Sequence, residues 1–186
     1  MEYLLKAKVG NVGSWSEMSL KDDLRLFLGK GVRRRIVVVG VGNPMRGDDK
    51  VGMLIVDLLK KKKKDNVSLK NVLLIKTGSV PENFTGKIRR FDPTHVLIID
   101  AAEMGGEPGE ARLLSIETIE GVSISTHNLP LNLLAGFIER MTGAKVAVIG
   151  VQPKETEFGA RISIALKEAA LRISKIIYEI IINTNL

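Results

Sequence analysis

Short β-branched runs alternate with longer segments of helical spacing along most of the chain, and this alternation constrains the fold more than any other feature. Strands are predicted over residues 36–39, 72–75, 96–99 and 145–149. Helices are predicted over residues 19–29, 53–64, 129–141 and 160–182. Strands that alternate with helices favour a parallel sheet covered on both faces. The sequence therefore predicts an α/β fold with three layers, α/β/α, around a mainly parallel twisted sheet.

One segment departs from this alternation. After the strand at 96–99, a turn rich in glycine and proline over residues 105–109 leads directly to an apolar run at 112–116. A connection without a helix favours antiparallel pairing, so we expect an antiparallel edge hairpin. A chain of 186 residues fits one such domain.

Composition excludes several classes of site and location. The chain has no cysteine, which excludes disulfides and thiolate-held metals, so a metal would need oxygen and imidazole ligands. No apolar run reaches the roughly 20 residues that span a bilayer, and the start of the chain lacks the pattern of a signal peptide. We expect a cytoplasmic protein without membrane insertion.

The net charge of +7 comes largely from two local clusters, residues 33–35 and the lysine run 60–64. The lysine run ends a predicted helix, where cations complement the helix dipole, and few aromatic residues are available to stack on bases. We therefore expect no nucleic-acid partner.

The loops that leave the carboxyl ends of parallel strands hold the residues best placed for chemistry. The first strand leads to Asp48 and Asp49, the third is predicted to end at Asp100, and the loop before residue 129 carries His127 and Asn128. Each residue alone has a simpler interpretation, as a turn, cap or hydrogen-bonding residue. Together, two carboxylates and an imidazole at one sheet edge form a set suited to a divalent transition metal.

The glycine-rich segment at 39–52, VGVGNPMRGDDKVG, also raises the possibility of a phosphate-binding loop. Its glycine spacing differs from the dinucleotide fingerprint, and no Gly-Lys-Ser/Thr ends the loop. Two aspartates would repel phosphate as well. We rank a nucleotide-binding enzyme last among the alternatives.

At these residues the sequence resembles the hydrogenase maturation endopeptidases, in particular the branch that serves hydrogenase 3 of the formate hydrogenlyase complex. The likeness spans roughly residues 35–182. Five motifs carry it: GVGNPMRGDDKVG at 40–52, GSVPEN at 78–83, LIIDAAEMGGEPGEARLL at 97–114, STHNLPLNLL at 125–134 and VIGVQP at 148–153. The resemblance implies an endopeptidase that removes the C-terminal extension of the nickel–iron hydrogenase large-subunit precursor after nickel insertion.

The resemblance also implies roles for individual residues. Asp49, Asp100 and His127 fall on the family's nickel-binding positions, and the nickel is supplied by the precursor rather than held permanently. Asp49 and its neighbour Asp48 are the candidate catalytic residues, with Asp48 either positioning the loop or serving the reaction.

We further predict that Asn43 and Asn128, which lie in two of the motifs, bind the substrate. Lys50 stands where many relatives have glycine. Residues 1–33 extend beyond the usual start of the family, which divides the chain into an N-terminal extension with a short helix and a single peptidase domain over 34–186. A monomer is expected.

The sequence leaves the role of the metal open. It could polarise the scissile carbonyl or acidify a water, or it could serve only as a recognition anchor while a carboxylate acts as the base. The alternative from another class is a non-catalytic nickel-sensing chaperone, or docking module, for the same precursor.

Overall fold

A computed structural model describes residues 17–29, 34–64, 69–116, 123–124 and 130–184. The strands are β1 (Ile36–Val41), β2 (Val72–Gly78), β3 (His95–Glu103), β4 (Ala111–Leu114), β5 (Ser123–Ile124) and β6 (Lys145–Val151). The helices are α1 (Glu17–Leu28), α2 (Val51–Lys64), α3 (Thr85–Phe91), α4 (Leu131–Thr142) and α5 (Ile164–Thr184). Two short 3-10 helices, Gly47–Lys50 and Pro81–Phe84, precede α2 and α3.

The strands form one mainly parallel sheet in the order β2-β1-β3-β6-β4. β1 pairs in parallel with β2 and β3, and β3 pairs in parallel with β6. At the far edge β4 runs antiparallel to β6, and the two residues of β5 pair antiparallel with the end of β3. The predicted α/β fold, with its parallel sheet and antiparallel edge, is confirmed.

The hairpin predicted from the turn at 105–109 is wrong in one respect, because β4 does not pair with the strand before the turn, β3. Over most of its length β3 already has β1 on one side and β6 on the other, which leaves it no free edge for β4. The glycine-rich turn instead carries the chain past β6, whose outer edge is open. The partner of β4 is therefore a strand that lies more than thirty residues later in the sequence.

Two hydrophobic cores, one on each face of the sheet, explain why the strands are continuous apolar runs. Along β1, Ile36 and Val38 pack with the buried faces of α1, α2 and α5, whereas Val37 and Val39 pack with α3 and α4. Successive side chains of a strand point to opposite faces, so a strand covered on both sides is apolar at every position. This arrangement is the predicted three-layer architecture.

Helix α1 contributes to the first of these cores. Leu20, Leu24 and Leu28 recur every four residues, lie on one side of the helix and are all buried. Lys21 adds an ion pair to Glu179 of α5, with 2.9 Å between Nζ and Oε2. Most of the N-terminal extension lies outside the described residues, and the domain division at residue 33 stays a prediction.

The amino end of β3 holds His95, at the opposite end of the strand from the candidate site. Its ring meets Phe27 of α1 edge to face, with 5.4 Å between the ring centroids. Burial, with the nearby charges of Lys145 and Arg34, lowers the pKa of His95 to about 4. This histidine is a packing residue.

Helix α5 is rich in isoleucine and spans 21 residues. Across the described segments, no helix is both long enough and apolar enough to cross a membrane.

Candidate functional site

The candidate site lies where the order of strands in the sheet reverses. From β1 the chain passes through α2 to β2 on one side, whereas β3 has its later neighbour β6 on the other side. Helices α2 and α3 accordingly pack on opposite faces. In open α/β sheets such a switch point opens a crevice at the carboxyl ends of the strands. Asp49 follows β1 and Asp100 lies on β3, so the topology brings these two carboxylates to one crevice.

Two glycines let the loop after β1 pack directly against backbone. A Cβ at Gly52, in the first turn of α2, would lie 2.2 Å from the Ile99 carbonyl oxygen and 2.6 Å from that of Val41. A Cβ at Gly42 would lie 1.8 Å from the carbonyl oxygen of Asp49, and Gly42 has a φ of 134°. The 3-10 helix that carries both aspartates contacts β3 as a result. The glycines are turn and packing residues, which agrees with our preference against a phosphate-binding loop.

Asp48 is completely buried and accepts four hydrogen bonds from the segment between β6 and α5. Its Oδ2 accepts from the backbone N–H of Lys154 at 2.9 Å, the N–H of Glu155 at 3.2 Å and the hydroxyl of Ser163 at 3.0 Å. Its Oδ1 accepts from the N–H of Ser163 at 2.7 Å. The backbone N–H of Asp48 also donates to the Glu155 carbonyl at 2.9 Å. Asp48 therefore ties the loop after β1 to the loop after β6.

Ser163 was not identified from the sequence. It directly precedes α5, and its hydroxyl oxygen accepts from the N–H of Leu166 at 3.3 Å, so it is the N-cap of that helix. The spacing of a serine before a helical apolar run is a recognisable capping signal. That this cap is itself held by Asp48, 115 residues away, is a tertiary feature with no local sequence pattern.

Asp49 is equally buried, with 1% of its surface exposed, but its environment is different. Its Oδ2 accepts a hydrogen bond from the backbone N–H of Asn43 at 2.8 Å. Its Oδ1 is shielded from solvent and has no hydrogen-bond partner among the described residues. A buried carboxylate oxygen without a donor is unfavourable unless a cation or a proton compensates it. A carboxylate oxygen in this state is a suitable ligand for a metal ion.

Asp100 lies within β3 rather than at its end, which corrects the strand boundary predicted from the sequence. The ladder with β1 stops at the pair Gly40–Ile99, whereas pairing with β6 continues to Ala101. β5 then pairs with the last two residues of β3, so the strand is longer than its apolar run. Asp100 is completely buried, and its Oδ1 accepts from the N–H of Ala101 at 2.9 Å. It occupies the point where β1 leaves β3.

The other predicted site residues divide into two groups. Asn43 lies in the loop after β1, and its side-chain oxygen accepts from the N–H of Met45 at 2.9 Å, which stabilises the turn. His127 and Asn128 lie outside the described residues. The last described residue before them is Ile124, which pairs with Ala102, two residues beyond Asp100. In the described segments, no group of three or more acidic or histidine side chains is placed to hold a metal ion.

Gln152, in the VIGVQP motif, holds the loop that leaves β3 and was not singled out from the sequence. Its side-chain oxygen accepts from the N–H of Met104 at 2.7 Å and of Gly106 at 3.3 Å. Its amide nitrogen donates to Glu103 at 2.7 Å. This buried glutamine therefore fixes the loop that leaves β3.

Comparison with known proteins agrees with the motifs. A profile of the family described as HycI, hydrogenase maturation protease, matches residues 53–183, a range that includes Asp100 and His127 but begins after Asp49. The Hydrogenase 3 maturation protease of Escherichia coli K12 is 37% identical over 134 residues, which are 72% of this chain and 82% of that protein.

Solved structures give the same result. The crystal structure of the NiFe hydrogenase maturation protease HycI from Thermococcus kodakarensis KOD1 is similar with a TM-score of 0.73 and 38% identity, over 87% of this chain and 97% of that one. The solution structure of an endopeptidase HycI from Escherichia coli has a TM-score of 0.65 and 34% identity, over 75% and 86% of the two chains. The family resemblance found in the sequence is confirmed: the chain belongs to the hydrogenase maturation proteases, which are endopeptidases.

Proposed function

We propose that this protease removes the C-terminal extension of the nickel–iron hydrogenase large-subunit precursor after nickel insertion, and that Asp49, Asp100 and His127 bind the nickel. The single observation that carries the proposal is the buried Oδ1 of Asp49 at the switch point of the sheet, which has no hydrogen-bond partner among the described residues. The pairing of Ile124 with Ala102, near the end of β3, supports the inclusion of His127, because His127 follows Ile124 by three residues in the sequence.

Without a cation, the buried carboxylate of Asp49 is in an unfavourable state. A carboxylate oxygen removed from water and given no donor lacks compensation for its lost hydration. A divalent ion supplies that compensation, and a set of carboxylate and imidazole ligands suits nickel and similar metals. If the precursor supplies the ion, tight binding depends on nickel insertion. Cleavage would then follow insertion in the order that maturation requires.

The reaction is the hydrolysis of one peptide bond. A water oxygen bonds to the scissile carbonyl carbon, a carboxylate takes the water's proton, and the leaving nitrogen is protonated as the carbon–nitrogen bond breaks. Asp49 is the better candidate for the base than Asp48, whose two oxygens already accept four hydrogen bonds. We assign Asp48 to positioning. Asn43 and Asn128 are the proposed substrate-binding amides.

The location, oligomeric state and partner are proposed from the family relationship. The enzyme acts in the cytoplasm as a monomer, on a protein that carries the nickel to it. The alternative of a non-catalytic chaperone has no observation in its favour, because the relatives are proteases and endopeptidases by name.

The test is cleavage of the purified precursor, with and without nickel, read by intact mass. We expect loss of the C-terminal extension only from the nickel-loaded precursor, and loss of that activity in Asp49→Asn, Asp100→Asn and His127→Ala. Two variants serve as matched controls: Asp57→Asn changes a half-exposed carboxylate paired with Lys76, and His95→Asn changes the other histidine. Equal cleavage of the two precursors, or full activity in all three site variants, would overturn the proposal.

A further inference from the structure

Arg46 lies in the same loop as the two aspartates and has an unusual environment for a cation beside buried carboxylates. Its Nε is shielded from solvent and has no hydrogen-bond partner among the described residues. The ion pairs found in that part of the chain include none with Asp48 or Asp49. A buried N–H without an acceptor is as unfavourable as a buried acceptor without a donor. Within the part of the chain that the structure describes, the loop therefore contains an unsatisfied donor at Arg46 and an unsatisfied acceptor at Asp49.

The backbone of Arg46 is held firmly, although the described residues give its Nε no partner. Its N–H donates to the Asn43 carbonyl at 3.1 Å, and its carbonyl accepts from the N–H of Asp49 at 2.8 Å. The residue also forms an antiparallel bridge with Phe158 in the loop after β6. The bonds that Asp48 makes to Lys154, Glu155 and Ser163 fix this second loop. The position of Arg46 is thus set before any substrate binds.

Two large apolar side chains flank Arg46 on the surface. Met45 is 55% exposed and Phe158 is 74% exposed. Their backbones are joined, because the N–H of Gly159 donates to the Met45 carbonyl at 2.7 Å. Methionine, aromatic residues and arginine are enriched where proteins bind other proteins. Met45, Arg46 and Phe158, which we call the Arg46 rim, therefore have the composition of a protein-binding surface.

We propose that the Arg46 rim binds the precursor polypeptide next to the scissile bond, with the guanidinium donating to a backbone carbonyl oxygen and Met45 and Phe158 contacting apolar side chains. This inference rests on the proposed function, since a polypeptide cleaved beside Asp49 must pass this loop. A neutral carbonyl suits the position better than a carboxylate, because Asp48 and Asp49 repel a further negative charge. The rim makes Arg46 a substrate-binding residue rather than part of the metal site.

The test is steady-state cleavage of the nickel-loaded precursor by Arg46→Gln and Arg46→Lys, with Arg161→Gln as the matched control on an exposed arginine of the loop after β6. Loss of one hydrogen bond from a charged donor predicts a KM increase of about tenfold or more for both Arg46 variants, because lysine lacks the planar guanidinium. kcat should stay within about threefold. Met45→Ala combined with Phe158→Ser should raise KM in the same way.

Thermal unfolding separates substrate binding from a structural role. We expect Arg46→Gln to keep the melting temperature of the wild type or raise it, since an unsatisfied buried donor is removed. An unchanged KM in Arg46→Gln, or a KM increase accompanied by a clear fall in melting temperature, would overturn the inference.

Direct binding of the nickel-loaded precursor keeps this inference distinct from the proposed function. If the wild type binds the precursor without cleaving it, the proposed function fails, and the Arg46 rim is judged on affinity alone. About tenfold weaker binding by Arg46→Gln would then support the rim, and equal binding would refute it.

Discussion

Asp48 and Asp49 are adjacent in sequence and equally buried, yet we expect their replacement by asparagine to have opposite effects on stability. Asp48→Asn keeps one acceptor oxygen but turns the other into an amide group that faces N–H or O–H donors. At least one hydrogen bond to a charged acceptor is lost, at about 1.5–3 kcal/mol, and the remaining bonds become neutral and weaker. The free energy of unfolding should fall by about 3 kcal/mol.

Asp49→Asn should behave differently, because the Asp49 side chain makes few stabilising hydrogen bonds with the described residues. The asparagine oxygen can keep the bond from the Asn43 N–H, and the substitution removes a buried charge whose other oxygen is unpaired. Its free energy of unfolding should stay unchanged or rise by about 1 kcal/mol. Asp49→Asn, the more stable of the two variants, should be inactive. Asp48→Asn should lose activity only to the extent that its loop becomes less well fixed.

The assay is urea and thermal unfolding of the metal-free protein in a chelator, since a bound ion would stabilise the native state. For a chain of this size, 3 kcal/mol corresponds to a shift of roughly 6–12 °C in melting temperature. Asp57→Asn, which breaks only a surface ion pair, should change stability by less than about 1 kcal/mol. Equal destabilisation by Asp48→Asn and Asp49→Asn, or an Asp48→Asn variant as stable as the wild type, would refute the proposed division of roles between the two aspartates.

Three further predictions concern the stability of the fold. Burial, with two nearby cations, holds the pKa of His95 near 4, so below an unfolded pKa of about 6.5 only the unfolded chain takes up the proton; stability should fall by roughly 3 kcal/mol from pH 7 to pH 4, and unfolding curves of His95→Asn should lose this part of the pH dependence. Gly52→Ala should lower the free energy of unfolding by about 3 kcal/mol, with a clear fall in melting temperature, because the new methyl group meets backbone that cannot move aside. Gly86→Ala in α3 has space for the methyl group and should stabilise the protein slightly. Leu24→Ala, at a position 1% exposed, should cost about 3 kcal/mol in chemical unfolding if α1 is part of the core, against less than about 0.5 kcal/mol for Leu26→Ala, which is 70% exposed.

The parts of the site that follow from strand order were predictable from the sequence. The rule that parallel strands gather their carboxyl ends at one edge selected Asp49 and Asp100, and both lie at the switch point. The end of β3 was misplaced because strands β5 and β6, which pair with it beyond Asp100, come later in the chain and leave no signal in its own residues. The partner of β4 was missed for the same reason.

Properties that depend on burial and distant partners could not be predicted. Nothing in the pair Asp48–Asp49 indicates that one carboxylate has four donors and the other an unpaired oxygen, because the donors come from the loop before α5. A carboxylate alone specifies only that it will seek donors or a cation. Which of these it receives depends on the fold of the whole domain.

This asymmetry also explains how a buried carboxylate can persist in the folded protein although one of its oxygens has no donor among the described residues. A flexible loop would let Asp49 turn toward water or a nearby N–H, and its affinity for a cation would fall accordingly. Here the close contacts of Gly42 and Gly52 and the bonds of Asp48 fix the 3-10 helix on two sides, so Asp49 stays in place. Unsatisfied groups of this kind are stable only where the surroundings over-determine them. In the proposed mechanism, the unfavourable state of Asp49 is relieved when the precursor brings nickel, so the rigidity that Asp48 provides is what makes binding depend on the metal.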